Sequence, residues 1–246
     1  MSKVIELSGT ADPSGQRELL AGGFSLWLRR IRSAQIKEHG VDVPCGDCNA
    51  CCRSSYFIHI RPEETQTLRR IPKKLLFPAP FLPKGNVLLG YDERGQCPVL
   101  IAGKCSIYEH RPLTCRTYDC RIFTAAGIAA DEADKALIAE RIRRWQFSYP
   151  TERDRNQHLA VQAAARFLRE CVGCFPAGAI PGNSTQLAVL ALKVYRVFLK
   201  NSAPSSETGR LSPDPKLAAR VMKAAELFDA KCVKPKEHPP VRFNRS

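Results

Sequence analysis

Eight cysteines fall between positions 45 and 120: the string Cys45-Gly46-Asp47-Cys48-Asn49-Ala50-Cys51-Cys52, then Cys97, Cys105, Cys115 and Cys120. Thiols gathered this way do metal chemistry. A soft-ligand set suits zinc or an iron-sulfur cluster, whereas magnesium and calcium take oxygen ligands. Adjacent Cys51 and Cys52 point in different directions in most backbone conformations and so serve a single mononuclear metal poorly. Eight thiols also exceed what one zinc takes. Two arrangements fit. In one, two four-coordinate zinc sites divide the eight residues, with Cys45/Cys48 and Cys115/Cys120 as knuckles. In the other, Cys45, Cys48 and Cys51 form the C-x2-C-x2-C corner of an iron-sulfur cluster, and a distant cysteine such as Cys97, followed by Pro98, completes it. Ferredoxin spacing would place a fourth cysteine three residues past the third, and Cys52-Arg53-Ser54-Ser55 breaks that pattern. Structural zinc sites favour two clean knuckles each, whereas seven, nine and four residues separate the cysteines after Cys97. The pattern specifies metal more firmly than it specifies which metal or which pairing.

The elements that must position these thiols are short. Leu20, Phe24, Trp27, Leu28 and Ile31 recur at helical spacing, predicting an amphipathic helix from Gln16 to His39 that leads into the cluster. Tyr56 to Ile60 reads as a strand, and Pro62-Glu63-Glu64 opens a helix. The Pro-rich stretch from Ile71 to Gly85 reads as an ordered loop. Asn86–Tyr91 and Cys97–Ile101 flank Asp92-Glu93-Arg94-Gly95 as a hairpin, with a second turn at Ala102-Gly103-Lys104. Beyond Thr124 the pattern turns helical, with helices expected from about Asp131 to Phe147, Thr151 to Arg169, Ser184 to Lys200 and Pro215 to Lys231. The fold class expected is α+β: an irregular cysteine-rich metal-binding core with a small antiparallel meander, flanked by N- and C-terminal helices. The chain divides into an N-terminal amphipathic segment (1–41), a cysteine-cluster domain (42–124), a C-terminal helical region (125–233) and a basic, disordered tail (234–246), with a polar linker from Asn201 to Ser212.

Composition bounds the remaining choices. Eleven cysteines are an odd number, and the first residues turn polar before any apolar run long enough for a signal peptide. A reduced, cytoplasmic protein is expected rather than a disulfide scaffold. No apolar run approaches the roughly 20 residues that span a bilayer. The formal net charge is +14, which raises the question of nucleic acid or another acidic partner. Part of that surplus is internal: two tetrathiolate centres of about −2 each would bring the loaded protein to roughly +10. Arg53, Arg111, Arg116 and Arg121 adjoin or closely flank the cysteines, where a cation favours thiolate.

Three strings extend the signal beyond spacing: Cys45-x2-Cys48-x2-Cys51-Cys52, then Gly95-Gln96-Cys97-Pro98, then Gly103-Lys104-Cys105-Ser106-Ile107-Tyr108-Glu109-His110-Arg111-Pro112 with Cys115-Arg116-x3-Cys120. From Pro44 to Thr124 the chain resembles the YkgJ-type CxxCxxCC cysteine-cluster family of zinc- or iron-chelating domains. The resemblance implies that all eight cysteines are metal-ligand candidates and that zinc or iron is the metal. One relative of that group, flagellin lysine N-methylase, carries a similar cluster and transfers methyl groups to protein lysines. No Gly-rich loop after a strand, of the kind that cradles a nucleoside cofactor, is visible in this chain.

Other candidates are weaker. Cys171-Val172-Gly173-Cys174 sits where a helix ends, the wrong context for a thioredoxin-type motif; it reads as buried small residues, with auxiliary ligands or a dithiol as the alternative. Cys232 reads as having no role. His59 and His110 read as structural or as supports to the ligands, with Tyr108 and Arg111 packing beside the cluster. Three functions follow: a metal-binding protein whose cluster organises a small domain, an iron-sulfur protein in electron transfer or in a modification reaction such as lysine methylation, and a zinc-dependent nucleic-acid-binding module. The third lacks, in sequence, an interleaving of basic and aromatic residues around the knuckles.

Overall fold

The computed structural model describes residues 18–37, 39–41, 43, 45–130, 135–199 and 213–232. Gln16 and Arg17 of the expected N-terminal helix lie outside the described residues, and the next part of it is extended. Strand β1 (Leu19–Gly23) precedes helix α1 (Phe24–Lys37), and Gly22 adopts a left-handed φ of 89° that a helix does not accommodate. The partner of β1 is equally unanticipated. Of the helix expected over 131–147, only α5 (Ala136–Arg143) forms within the described residues. Trp145–Ser148 is instead a strand, β7, whose alternating burial follows its two-residue period. β1 and β7 pair in parallel, with Leu19 opposite Trp145 and Gly23 opposite Ser148. The expected linker 201–212 and tail 234–246 lie outside the described residues.

The helices after β7 follow their sequence signals closely. α6 (Glu152–Glu170) starts with a capping box made by Thr151 and Asp154. α7 (Ser184–Val194) is capped by Asn183, whose side chain accepts from the Gln186 amide at 3.1 Å, and it tightens into a 3-10 turn through Phe198. α8 (Pro215–Asp229) begins with Pro215 behind Asp214, whose carboxylate accepts from the Leu217 amide at 3.0 Å. Phe24, Phe123, Phe167, Leu168, Ala188, Leu192 and Val194 are almost fully buried where α1, the short helix α4 (Arg121–Ala126), α6 and α7 meet. Arg32 of α1 donates to the carbonyls of Leu192 and Lys193, joining a cation to the negative end of α7.

The central region is built from pieces of two to six residues: β2 (Ile58–Ile60), α2 (Thr65–Arg70), β3 (Leu76–Pro78), β4 (Val87–Leu89), β5 (Leu100–Ile101), β6 (Lys104–Cys105) and α3 (Leu113–Thr117). β4 lies between β2 and β3 in an antiparallel sheet, with Leu89 opposite both Ile58 and Leu76. The residues around Asp92–Gly95 do turn, with the Gly95 amide 2.9 Å from the Asp92 carbonyl. They do not close a hairpin, because β4 is committed to β2 and β3 while β5 pairs with β6 across the Ala102-Gly103 turn. A second, small core of Ile60, Ile71, Leu89, Val99 and Ile107 lies in this region. Five buried side chains at about 2 kcal/mol each offset little of the ordering entropy of so many short pieces.

Asp154 joins the two ends of the helical layer. Its Oδ1 accepts from the Ser25 amide at 2.7 Å, at the start of α1, while Oδ2 accepts from the Thr151 amide at 3.0 Å and the Thr151 hydroxyl at 2.5 Å. These bonds, the Thr151 hydroxyl first, hold its pKa down at about 2. The folded carboxyl therefore binds its proton less readily than the unfolded one, so its stabilisation is present above about pH 4 and is lost as pH falls toward 2. Asp154→Asn is expected to cost about 1–2 kcal/mol at neutral pH and to flatten the acid limb of stability between about pH 4 and 2. Urea denaturation of both proteins across that range checks it.

Candidate metal centre

The first four cysteines are delivered by consecutive tight turns. Gly46 at φ 54° allows the turn in which the Cys48 amide meets the Cys45 carbonyl at 3.0 Å, and the Cys52 amide then meets the Asn49 carbonyl at 2.9 Å. A 3-10 turn over Ala50–Arg53 follows. The Cys97 amide donates to the Cys52 carbonyl at 2.7 Å, which fixes the second cysteine segment against the first. Asn49 Nδ2 donates to the Gly103 carbonyl at 3.1 Å, holding the β5–β6 turn that presents Cys105, itself paired with Leu100. Cys115 lies in α3, anchored where Thr114 Oγ1 donates to the His59 carbonyl at 2.7 Å and where Glu64 accepts from the Leu113 amide at 2.6 Å. Cys120 caps α4.

The eight thiols divide into two neighbourhoods. The charges that act on Cys51 are those of Cys120, Cys45 and Cys48 ahead of Cys52, and those that act on Cys115 are Cys52, Cys97 and Cys105. Cys52 responds most to Cys97 and Cys105 among the thiols, and Cys120 to Cys45 and Cys48. The packing divides the same way: Cys48, Cys51 and Cys120 belong with the large helical core, Cys97 and Cys105 with the small sheet core. Adjacent Cys51 and Cys52 thus face opposite groups. None of the eleven cysteines is in a disulfide. Among the described residues no three His, Cys, Asp or Glu side chains are closed around the position of an ion, so the thiols are gathered without being drawn into one coordination sphere.

Burial governs their protonation. Desolvation, then the neighbouring thiols, push Cys52 and Cys115 up to about 12; burial also raises Cys120 to about 12 against the opposing hydrogen bond from Trp145. Cys45, Cys51 and Cys97 are raised for the same first reason. Cations moderate this, since Arg141 and Arg111 lower Cys45, and Arg111 lowers Cys115. Arg111 also stacks on Tyr108 with 4.0 Å between its guanidinium carbon and the ring centroid, in line with the sequence expectation for that pair. A set of mostly protonated thiols in a partly buried site, which would repel one another once ionised, fits a group that replaces protons with a cation.

Several residues that support the first neighbourhood carry no signal in the cysteine pattern. Trp145 Nε1 donates to Cys120 Sγ at 3.2 Å. Arg141 lies 5.0 Å from the Trp145 ring centroid and donates to the Cys45 carbonyl at 3.0 Å. Asp119, 2% exposed, accepts from Trp27 Nε1 at 2.9 Å and from Arg121 Nη2 at 2.8 Å, while Arg121 Nη1 donates to the Ala21 carbonyl at 3.2 Å. The residues on either side of Cys120 are thereby bolted to β1 and α1. Tyr118 packs 5.9 Å from Tyr56, and its phenol is pushed up by burial and then by the Cys51 charge. Lys135, 6% exposed, lies 5.4 Å from the Tyr56 ring centroid. A two-residue period in Trp145-Gln146-Phe147-Ser148 was the available clue to Trp145, and adjacency to Cys120 marked Arg121; the others needed the tertiary fold.

Other sequence candidates take structural places. His59 hydrogen bonds to Asn86 Oδ1 at 2.8 Å on the sheet, and the His110 carbonyl accepts from Thr67 Oγ1 at 2.8 Å. His158 is a core histidine stacked 4.3 Å from Phe24 and bonded to the Tyr149 hydroxyl at 2.7 Å. Cys171 is buried at the end of α6, raised by desolvation and then by Cys174, Glu170 and Asp214, with no cluster thiol among its influences. Cys232 Sγ lies 3.8 Å from the Phe228 carbonyl one helical turn back.

Residues 44–144 match the family model named CxxCxxCC and described as a putative zinc- or iron-chelating domain. This segment is similar to a CxxCxxCC domain. The match extends past the last cysteine over α5, which supplies Arg141, whose guanidinium holds the Cys45 carbonyl. No curated protein and no solved structure matches the chain. Among the described residues no helix is long and apolar enough to cross a membrane.

Two outcomes follow from the electrostatics. Asp119→Ala would strand the buried Arg121 guanidinium and is expected to cost about 3–5 kcal/mol, read by denaturant unfolding. Zinc or ferrous iron added to metal-free protein at neutral pH should release about one proton per ligating thiol, measured by pH-stat or by calorimetry in buffers of different ionisation enthalpy, and apparent affinity should fall as pH is lowered.

Proposed function

We propose that the CxxCxxCC domain binds two metal centres of zinc or iron, one through Cys45, Cys48, Cys51 and Cys120 and the other through Cys52, Cys97, Cys105 and Cys115. The observation that carries this reading is the opposite allegiance of Cys51 and Cys52, whose leading thiol partners are Cys120 and Cys45 in one case and Cys97 and Cys105 in the other, with Cys51 and Cys120 in the helical core and Cys97 and Cys105 in the sheet core. Four thiolates per centre is the donor number and type of a closed, structural site. In the first set, Trp145 Nε1 and the Arg141 guanidinium supply donor and positive charge beside sulfur; in the second, Arg111 supplies charge near Cys115. When bound, the metal supplies cross-linking between segments distant in sequence. The chain's own turns bring the thiols to it, its arginines offset the thiolate charge, and its apolar cores limit water access.

The role of such a centre here is to hold together a region with little else to stabilise it. β5 and β6 have two residues each, and the core beside them has five buried apolar side chains. Domains this poor in regular structure and core usually need a metal or disulfides, and no disulfide is formed. A reduced compartment such as the cytoplasm is the setting in which eight free thiols would persist.

Elemental analysis of protein purified without oxygen and without a metal-binding tag is expected to give about two equivalents of zinc or iron per chain. Cys120→Ser and Cys115→Ser should each lose about one equivalent and retain the other, and Cys232→Ser should lose none. A single equivalent in the parent protein, or loss of all metal together in either variant with the fold intact by circular dichroism, would overturn the division into two centres.

A further inference from the structure

The outer face of the three-stranded sheet carries touching aromatic rings exposed to solvent. In the β2–β4–β3 register His59, Leu88 and Phe77 lie side by side on the face opposite Ile58, Leu89 and Leu76. Phe57 and Gly90 extend that face by the two-residue period of their strands. The Phe57 ring meets Phe77 edge-on at 5.9 Å and Tyr91 at 4.9 Å. All three remain substantially exposed: Phe57 at 55%, Phe77 at 40% and Tyr91 at 41%. Gly90 makes the arrangement possible, since a Cβ there would stand 3.3 Å from the Phe77 ring and 3.7 Å from that of Phe57.

Positive charge borders these rings in sequence. Lys73 and Lys74 lead into β3, Lys84 lies in the β3–β4 connection, and Arg94 is in the turn after Tyr91; all four are exposed. That last turn also carries two acids, Glu93 and Asp92, the latter bound by the amides of Arg94 and Gln96 at 2.9 and 2.8 Å. The chain as a whole carries +14. The sheet thus gathers rings from positions up to 34 residues apart, Phe57 to Tyr91, with these cations beside them in sequence, a combination missing around the cysteine knuckles.

We propose that this sheet face binds a single-stranded polynucleotide, with unpaired bases stacking on Phe57, Phe77 and Tyr91 and the phosphates drawn by Lys73, Lys74 and Arg94. Flat sheets with exposed rings accept bases because every base has a π-face, and flanking cations hold the phosphate backbone. A duplex keeps its bases stacked internally and offers them no such contact. An apolar protein partner would satisfy the rings but not the bordering cations. A lipid surface would be met through the fully exposed Phe81 and Leu82 of the β3–β4 connection, at the end of the sheet remote from Tyr91. The proposal rests on the sheet and not on the division of the thiols into two centres.

The test is fluorescence anisotropy with metal-loaded full-length protein and a labelled, mixed-sequence single strand of about a dozen nucleotides, as RNA and as DNA, beside the corresponding duplexes. Single strands of at least one kind are expected to bind about tenfold or more tightly than the duplex, with affinity falling steeply as salt is raised. Phe57→Ala and Tyr91→Ala should each weaken that binding about fivefold or more while metal content and circular dichroism stay unchanged. Phe57→Tyr, which keeps a ring, should bind as the parent does and thereby separates stacking from a loss of fold. The proposal is overturned by absent single-strand binding at low salt, by equal binding of strand and duplex, by ring variants that bind like the parent, or by binding confined to anionic phospholipid vesicles. Because metal content is measured on the same samples, failure here is distinguishable from failure of the two-centre reading.

Discussion

Thiols brought together inside a fold repel one another as soon as they ionise, and this chain brings eight of them together. Burial already resists ionisation of Cys45, Cys51, Cys52, Cys97, Cys115 and Cys120, and neighbouring thiols add to the resistance. The sequence places Arg53, Arg111, Arg116 and Arg121 close by, but their charge is only partly available. Arg121 is spent on Asp119, Arg116 reaches toward Glu64 at 4.0 Å, and Arg53 is exposed; Arg111 and Arg141 are left to act on the thiols. The proposed metal centres resolve this conflict by exchanging protons for divalent charge, and in doing so fasten segments that otherwise meet through a few backbone bonds such as Cys97 N–H to Cys52 carbonyl.

The surrounding architecture differs on the two sides of the Cys51–Cys52 peptide. On one side, α1, α4, α5, α6 and α7 form a large apolar core, and the buried Asp119–Arg121 pair with Trp27 and Ala21 locks Cys120 to it. Breaking such a pair is costly because one charge would remain buried alone. On the other side, short strands and a five-residue core support Cys97 and Cys105. The first neighbourhood can rely on packing for its geometry, whereas the second depends far more on whatever its thiols bind. Under the proposed two-centre reading, metal removal would loosen the sheet region before the helical layer.

The cysteine cluster was legible because the string Cys45-x2-Cys48-x2-Cys51-Cys52 is local in sequence, and the match of residues 44–144 to a zinc- or iron-chelating domain supports the coarse reading of chelation. Helices α6, α7 and α8 were legible because their caps, Thr151 with Asp154, Asn183, and Asp214 with Pro215, act locally. The β1–β7 pair was not. Leu19 and Trp145 are 126 positions apart, and the apolar residues of both segments satisfy a helical period nearly as well as a strand's. The expected hairpin around Asp92–Gly95 failed for a similar reason: the turn chemistry was read correctly, but β4 found better partners in β2 and β3. Trp145, Asp119, Arg141 and the exposed Phe57–Phe77–Tyr91 rings share this origin, since each acquires its role only from long-range pairing.

The measurement closest to the central claim is the extended X-ray absorption fine structure at the edge of whichever metal the purified protein carries. The account predicts a first shell of about four sulfurs per metal near 2.3 Å, with nitrogen and oxygen absent from it. A shell in which nitrogen or oxygen supplies half the donors would contradict it, because ligands outside the eight cysteines would then hold the metal.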